Sequence, residues 1–436
     1  MSVANRVLRG VLAAMLSSSL LFTAFAHAAR DDDEPETRKT PALTERAYKK
    51  LSEAQEHIDL KEYQLALGVL EEMRTTRGLN AYELASMENM RAFVAFSIED
   101  YGLAIRAYEG VLSYRPEIPL ALEQSALYAL GQLYFVEENY EKALAYLDEW
   151  FRVAQNPGPQ PFIFKAQALY QTQRYSDIPA VVYEAMDIAQ ARDQAVEENW
   201  WLLIRAAYYE EENWEKVIEI LEILVDQFPK KQYWVQLSGL YGQEGMAKKQ
   251  IAAIWVAYMQ GMLDQEREIM NVAGLLLQEE VPYYAGVILE DAIENEIVED
   301  TSTNLQMLAQ AWQLSQEIDR AIPVYQSAAE KSDEGELFFR LAQLYLDKDE
   351  CAESVEASDA ALDKGGLKNL AQVYLVKGMC EYELDRYTAA LATFNRGLEN
   401  ASRDRDDVDR RALNNWRRYV QNERDRQQEL ARAAGR

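Results

Sequence analysis

The sequence has 436 residues and a formal net charge of -28. Its length exceeds the usual size of one compact core, so several domains or an extended array are expected. The acidity is typical of a soluble protein and disfavours a nucleic-acid partner, because phosphate binding needs a basic face. Hydrophobic residues make up 49% of the chain while glycine and proline are sparse, which favours helix throughout.

The first residues have the pattern of a secretory signal peptide. Arg6 and Arg9 precede an uncharged, mostly apolar stretch, and Ala26-His27-Ala28 is a small-x-small cleavage site. We therefore predict a signal peptide over residues 1–28 and a periplasmic mature protein with no membrane anchor. A retained membrane anchor is the alternative, but the apolar stretch is short for spanning a bilayer.

One unit recurs along the rest of the chain at a spacing in the thirties, which is the mark of a repeat architecture. Each unit carries two stretches with apolar residues at three- and four-residue spacing, and this predicts a pair of helices. The first small-residue position is held by Ala54, Ala92, Gly131, Ala166, Ser238, Ala273, Ala309, Ala342 and Gly378. Nine residues later stands a ring, in Tyr63, Tyr101, Tyr140, Tyr175, Trp214 and Tyr387. The second small-residue position, twelve residues after the first, is held by Ala66, Ala104, Ala143, Ala285, Ala321, Ser354 and Ala390.

These spacings resemble the tetratricopeptide repeat. The resemblance implies an all-α fold, a right-handed superhelical solenoid of about ten helix-turn-helix repeats. Some repeats depart from this pattern. Arg205 and Gln250 occupy small-residue positions, and the ring is replaced by Ala247, Pro282, Ile318 and Cys351. The predicted organisation is an acidic and polar segment over residues 29–46, repeats 1–3 over 47–158, repeats 4–10 over 159–404, and an arginine-rich capping helix over 405–436.

The loop between the third and fourth repeats is rich in proline, over residues 156–161. It is interpreted either as a hinge or as a rigid connection, since proline restricts the chain.

Catalytic patterns are not evident, and we predict a protein that is not an enzyme and holds no cofactor or metal. His27 leaves with the signal peptide, and His57 lies late in a first helix, where a solvent-facing or partly packed ring is expected. No nucleophile elbow or phosphate-binding glycine loop is present. Acidic pairs such as Glu211-Glu212 are interpreted as solvated faces.

The resemblance also implies where a partner would bind, because first helices line the concave side of such a solenoid. We predict that a protein partner contacts a groove rich in amides and rings: Gln132, Phe135, Gln167, Tyr170, Gln171, Tyr209, Gln232, Gln236, Gln243, Gln278 and Gln310, together with Asn271, Gln306 and Gln313. Such a surface fits a neutral segment. Glutamine is equally a good residue for exposed helix positions, so a purely solvated face is the alternative.

Three aromatic pairs invite a ligand-binding interpretation: Trp200-Trp201, Tyr208-Tyr209 and Tyr283-Tyr284. One member of each pair falls at a repeat packing position. We therefore expect core packing plus groove lining from these rings.

A narrower resemblance rests on segments that the generic repeat does not require: residues 38–43, 156–159, 230–242 and 364–368. Together they look like the periplasmic tetratricopeptide proteins encoded beside ExbB, ExbD and TonB components. This resemblance implies a scaffold that supports TonB-dependent outer-membrane uptake, with periplasmic domains of TonB or ExbD as partners. Two alternatives remain: a scaffold for cell-envelope or secretion-complex assembly, and a repeat protein that binds glycan or peptidoglycan.

The two cysteines of the chain fall in neighbouring repeats. Cys351 stands at the start of a second helix and Cys380 late in the first helix of the next repeat, and these ends should be adjacent in a stacked array. We predict a disulfide between them, since the periplasm permits oxidation. Two buried free thiols are the alternative.

Overall fold

The computed structural model of the protein describes residues 42–401 and 407–434. The predicted signal peptide and most of the acidic segment that follows it lie outside these residues. The described chain forms 21 α-helices and one short 3-10 turn and contains no strand. The predicted all-α repeat fold is confirmed, because the first twenty helices form ten successive pairs.

The chain divides into two compact units, each made of several repeats: unit 1 ends at Leu224 and unit 2 begins at Val225. The helices that begin in the first unit are α1 (Glu45–Asp59), α2 (Tyr63–Arg74), α3 (Ala81–Ser97), α4 (Tyr101–Leu112), α5 (Leu120–Val136), α6 (Tyr140–Val153), α7 (Gln160–Gln171), α8 (Ile178–Ala191), α9 (Glu198–Glu210) and α10 (Trp214–Gln227). Those of the second unit are α11 (Lys231–Gln243), α12 (Ala247–Met259), α13 (Glu266–Gln278), α14 (Pro282–Glu294), α15 (Ser302–Leu314), α16 (Ile318–Lys331), α17 (Glu336–Asp347), α18 (Cys351–Lys364), α19 (Leu370–Glu383), α20 (Tyr387–Asn400) and α21 (Val408–Ala434).

The turn inside each repeat follows one rule. Two residues before the predicted ring position, the backbone adopts a left-handed conformation with φ between 54° and 70°. This conformation ends a helix and satisfies its last carbonyls, as in the hydrogen bond from Asn139 N to Tyr134 O (2.8 Å). The ten residues are Lys61, Glu99, Glu138, Gln173, Glu212, Gly245, Glu280, Gln316, Asp349 and Asp385. Glycine tolerates this conformation best, yet only one of these ten residues, Gly245, is a glycine.

The two small-residue positions of a repeat face each other across its helix pair. Ser238 Oγ donates to Gln250 O at 3.0 Å, and Ser354 Oγ donates to Ala342 O at 2.8 Å. In each case the two residues are twelve apart, as the repeat spacing requires. The helices approach so closely here that a Cβ on Gly131 would lie 3.2 Å from Leu147 Cγ.

Gln250 departs from the small-residue pattern, and a neighbouring glycine accommodates it. A Cβ at Gly242 would lie 2.6 Å from Gln250 Nε2. Since α11 has no side chain at that position, the longer Gln250 fits within the helix pair.

The proline-rich loop between repeats 3 and 4 is held by one side chain. Arg192 Nη2 donates to Asn156 O at 3.0 Å, to Asn156 Oδ1 at 2.7 Å and to Pro157 O at 2.9 Å. Three hydrogen bonds from one guanidinium favour the rigid-connection interpretation over a hinge.

The loop over residues 364–368 has an equally structural explanation. Gly365 and Gly366 have φ of 76° and 68°, which favours glycine, and Gly335 N donates to Gly365 O at 2.7 Å. Lys364 Nζ donates to Ala329 O at 2.8 Å. The loop that connects repeats 9 and 10 is therefore hydrogen-bonded to Gly335 at the start of repeat 9 and to Ala329 of repeat 8.

Helix α21 packs along one side against the last repeat. Leu413 and Val420 are fully buried in a cluster with Ala390 and Phe394. The residues from 425 to 433 are exposed. The apolar half of this helix therefore seals the end of the second unit, while its charged half remains solvated.

Candidate functional site

The first helices of unit 1 contribute fewer accessible residues than the sequence suggested. Gln132 and Phe135 are 6% and 5% exposed, so the prediction that they line a partner groove is wrong. Phe135 packs against Tyr140 of its own repeat and Phe164 of the next, with ring centroids 5.0 Å and 5.2 Å apart. The ring of Phe164 in the following repeat is part of what removes Phe135 from solvent.

Tyr209 is the most accessible of the predicted rings in unit 1, at 57% exposure. Tyr170 is half-buried, and its hydroxyl donates to Glu210 Oε1 at 3.0 Å. Burial and that hydrogen bond raise the pKa of Tyr170 to about 12, so its hydroxyl stays a donor at neutral pH. Gln167 and Gln171 are half-buried on the same helix. These four residues form the accessible part of the predicted surface in this unit.

The first helices of unit 2 carry the predicted amides at the surface. The exposed ones are Gln232, Gln236, Gln243, Asn271, Gln278, Gln306 and Gln310. Gln313 is half-buried, and its Oε1 accepts a hydrogen bond of 2.7 Å from the Tyr325 hydroxyl. Most of the predicted amides of unit 2 are therefore exposed at the surface, whereas Gln313 serves the packing of its own repeat.

Three first helices of unit 2, α11, α13 and α15, carry little charge beyond their first turns, although the chain as a whole is strongly acidic. Helix α15 contains no charged residue, and the charges of α13 all lie in its first turn. Lys231 is the one charged residue of α11, and its Nζ forms ion pairs with Asp264 and Glu268 at 2.6 and 2.8 Å. Beyond the first turns, the exposed side of these three helices is consequently uncharged and rich in amides.

A pairing of rings five residues apart was missed in the sequence. In five repeats the ring that starts the second helix packs against a ring at the end of the first, with centroids between 5.0 and 5.9 Å apart. The pairs are Phe96–Tyr101, Phe135–Tyr140, Tyr170–Tyr175, Tyr209–Trp214 and Tyr382–Tyr387. The five-residue spacing recurs in the sequence and could have revealed these pairs. Because of the pairing, the predicted groove rings Phe135, Tyr170 and Tyr209 also pack within their own repeats.

The aromatic pair Tyr283-Tyr284 contradicts the expectation that one member of each pair is buried. Both rings are about half exposed, at 47% and 48%. They lie on the second helix α14, where Tyr284 packs against Trp255 (5.0 Å) and Tyr283 against Trp312 (5.8 Å). The rings therefore form a patch on second helices rather than a lining of the first-helix surface.

The two cysteines lie together in a small core cluster with Val355. Both are buried free thiols, and a hydrogen bond joins their side chains. Burial raises the pKa of Cys351 to about 12, with the Cys380 hydrogen bond adding to the effect. The predicted adjacency is confirmed, and the disulfide itself stays a prediction.

Residues 42–401 and 407–434 contain no group of three or more histidine, cysteine or acidic side chains placed to hold a metal ion. No helix of this part of the chain has both the length and the apolar character needed to cross a bilayer.

Comparison with known proteins identifies the repeat. A family model described as tetratricopeptide repeat matches residues 90–157 and 339–405. These two stretches of the chain are tetratricopeptide repeats. The matched residues cover helix pairs from both units, including repeats 3, 9 and 10. This fold is typically a non-catalytic scaffold for protein partners.

Several solved structures are similar to the chain at low identity. They include the MamA protein (14% identity, 39% of this chain and 90% of that chain, TM-score 0.32) and Naa15/Naa10 bound to HypK-THB (13%, 83% and 64%, TM-score 0.43). The APC/C hetero-tetramer Cut9-Hcn1 is similar over 86% of this chain and 83% of that chain (16% identity, TM-score 0.28). At these TM-scores the likenesses carry no argument about function. No curated protein matched the sequence.

Proposed function

We propose that this protein is a periplasmic scaffold that holds protein partners and supports TonB-dependent outer-membrane uptake. The observation that carries the scaffold function is the row of exposed, uncharged amides on the first helices of unit 2, within a tetratricopeptide-repeat fold. The proposed periplasmic location rests on the sequence pattern of residues 1–28. The proposed TonB and ExbD partners rest on the sequence resemblance of residues 38–43, 156–159, 230–242 and 364–368.

A scaffold of this kind contributes binding free energy and no chemistry. Such a scaffold does not itself use the energy of a proton gradient. Its effect on uptake would come from positioning or stabilising domains of the energising complex. Interface energy concentrates on large rings with a polar tip. Tyr209 is such a ring, and it is exposed beside Trp214 at a centroid distance of 5.2 Å.

The test is capture of partners from the periplasm by crosslinking to the full-length tagged protein. Enrichment of TonB or ExbD supports the proposal, whereas enrichment of envelope-assembly or secretion machinery alone would replace it by the assembly alternative. Tyr209→Ala should reduce capture about tenfold while leaving the helix content unchanged. Tyr170→Ala should also reduce capture, but with some loss of stability, because it removes the ring contact to Tyr175 and the hydrogen bond to Glu210.

A genetic test separates the uptake proposal from the assembly alternative. Deletion should impair growth on a substrate that the partnered TonB system imports, with outer-membrane integrity unchanged. A deletion strain that imports every TonB-dependent substrate normally but becomes permeable to large antibiotics would reject the uptake proposal.

One observation favours glycan binding as a second candidate function. Tyr283, Tyr284 and Trp255 present partly exposed rings that pack on one another, and ring faces can stack on sugars as well as on protein. Soluble peptidoglycan fragments that bind the parent protein but not Tyr284→Ala would support this candidate.

A further inference from the structure

The two cysteines of the chain meet where repeats 9 and 10 pack together. Cys351 is the first residue of α18, and Cys380 lies in α19 of the next repeat. Cys380 is fully buried and Cys351 is 8% exposed, and a hydrogen bond joins the two thiols. Two thiols in such contact can share one metal ion as well as form a disulfide.

A cavity of about 440 Å³ opens beside Cys351 and gives access to the pair from solvent. Four acidic side chains line this cavity: Asp349, Glu350, Glu353 and Glu383. Glu350 forms an ion pair with Lys348 (2.8 Å), whereas the other three form no ion pair within residues 42–401 and 407–434. The net negative charge of the wall attracts cations to the mouth of the cavity and repels anions.

Repeat 3 has a cavity at the equivalent place but no sulfur beside it. That cavity has a volume of about 460 Å³, and three of the side chains that line it are acidic: Glu137, Glu138 and Glu141. Tyr140 holds the repeat position of Cys351, and Ala168 of the next repeat holds that of Cys380. An acidic cavity therefore occurs at both turns, and only the turn of repeat 9 has thiols next to it.

The pair of thiols selects the class of metal ion. Sulfur is a soft donor that favours soft ions such as Cu(I), whereas Mg²⁺ and Ca²⁺ prefer oxygen ligands. Structural zinc sites use four protein ligands, but the described part of the chain has no group of three or more suitable side chains. Cu(I) is stable with two sulfur ligands, so two thiols are sufficient for it.

Binding of Cu(I) replaces two protons by one ion and leaves the oxidation state of copper unchanged. Two Cu–S bonds form, two S–H bonds break and both protons pass to water, so the bis-thiolate complex carries one negative charge. Burial raises the pKa of Cys351 to about 12, which keeps its metal-free thiol protonated at neutral pH. The N-terminus of α18 favours the charged product, because Cys351 lies in its first turn and Glu350, at the N-cap, makes no side-chain hydrogen bond to the helix.

We propose that the reduced Cys351–Cys380 pair binds one soft monovalent metal ion, Cu(I), which enters through the acidic cavity of repeat 9. The inference goes beyond the proposed scaffold function and does not depend on it. It revises the sequence-based prediction that the chain holds no metal. A disulfide between the same two residues excludes the ion, because an external disulfide that oxidises the pair takes up both electrons and both protons and leaves as two thiols.

The experiment is an anaerobic titration of the reduced full-length protein into the coloured complex of Cu(I) with bicinchoninate. The protein should withdraw one Cu(I) per chain, and X-ray absorption of the loaded protein should show two sulfur neighbours around copper. Failure to withdraw Cu(I) overturns the proposal, and so does a copper ion surrounded by nitrogen and oxygen.

Cys351→Ser and Cys380→Ser should each weaken Cu(I) binding at least about hundredfold, because only one thiolate remains. Cys380 is fully buried, so its variant is paired with a test that needs no substitution. Parent protein, oxidised until Ellman's reagent detects no thiol, should withdraw no Cu(I). Undiminished binding by the oxidised protein, or by both serine variants, would overturn the assignment.

A wall carboxylate tests where the ion sits. Glu383→Gln should strengthen Cu(I) binding about two- to fivefold, because the exposed carboxylate repels the negatively charged bis-thiolate across the cavity. Glu141→Gln is the matched control, since it removes the same charge from the cavity of repeat 3, and it should leave the affinity unchanged. A change of equal size in both variants would place the ion elsewhere and overturn the proposed site.

Discussion

Glu83 joins the first two repeats, and its replacement gives the sharpest test of how these repeats are held together. Its side chain is fully buried at the start of α3. Oε1 accepts from Thr44 N at 2.6 Å, and Oε2 accepts from Asn80 N at 2.9 Å. Asn80 Oδ1 in turn accepts from Glu83 N at 2.9 Å, which completes a capping box. One carboxylate therefore caps α3 and fixes the residue that caps α1.

We expect Glu83→Gln to destabilise the first two repeats by about 2 kcal/mol. Hydrogen bonds to a charged group contribute about 1.5–3 kcal/mol each, and glutamine keeps one acceptor oxygen while turning an N–H₂ group toward the other donor. The loss should be local, because repeats contact only their neighbours. Hydrogen exchange should show protection of the α1 and α3 amides reduced about thirtyfold, with α5 unchanged. Glu141→Gln, at an exposed position in the first turn of α6, is the control for loss of one negative charge.

The contribution of Glu83 should also depend on pH. Burial opposes ionisation, but the backbone N–H groups of Thr44 and Asn80 and the Thr44 hydroxyl outweigh it and hold the pKa of Glu83 below its usual range. A folded-state pKa below the unfolded value of about 4.3 means that this stability is present above that value and is lost as pH falls through the folded pKa. The difference between parent and Glu83→Gln should therefore shrink on acidification below about pH 4. Equal protection of α1 in both proteins at pH 7 would refute the reasoning.

Three further predictions concern packing, backbone and thiols. Gly286→Ala should lower the free energy of unfolding by about 1–3 kcal/mol in guanidinium titrations, because its Cβ would meet the Trp312 ring at 2.7 Å; unchanged stability and tryptophan fluorescence would contradict this. Gly245→Ala should cost about 1–2 kcal/mol in the same assay, since φ is +70° there although no atom lies within 4 Å of a Cβ; a gain would show that the turn relaxes. In protein isolated from an oxidising compartment we expect Cys351 and Cys380 to be joined, so denatured, unreduced protein should give no thiol with Ellman's reagent; two thiols would end the disulfide prediction.

The sequence was sufficient to predict the helix pairs and the position of each turn. Those features depend on local signals, because apolar periodicity and a ring nine residues after a small residue lie within one repeat. Even where the ring is replaced, at Ala247, Pro282, Ile318 and Cys351, the second helix begins at the same register. The left-handed turn residues carry no such signal, since nine of the ten are residues other than glycine.

Only the tertiary structure decided which predicted site residues reach solvent. Gln132 and Gln310 follow the first small-residue position of their repeats in the same way, yet the first is buried and the second exposed. Burial depends on the side chains that the neighbouring repeat supplies, as Phe164 does for Phe135. Those side chains lie some thirty residues away and vary from repeat to repeat.

The structure also shows which helical glycines are required by close packing and which are not. In the sequence, Gly239, Gly242 and Gly286 are simply weak helix residues. The distances from their would-be Cβ atoms separate Gly242 and Gly286, which make room for Gln250 and Trp312, from Gly239, which faces open space. Helix periodicity is a property of the chain itself, whereas the space around a residue is set by partners from other helices. The sequence alone therefore determined the repeat, and tertiary packing decided which face of it is available to a partner.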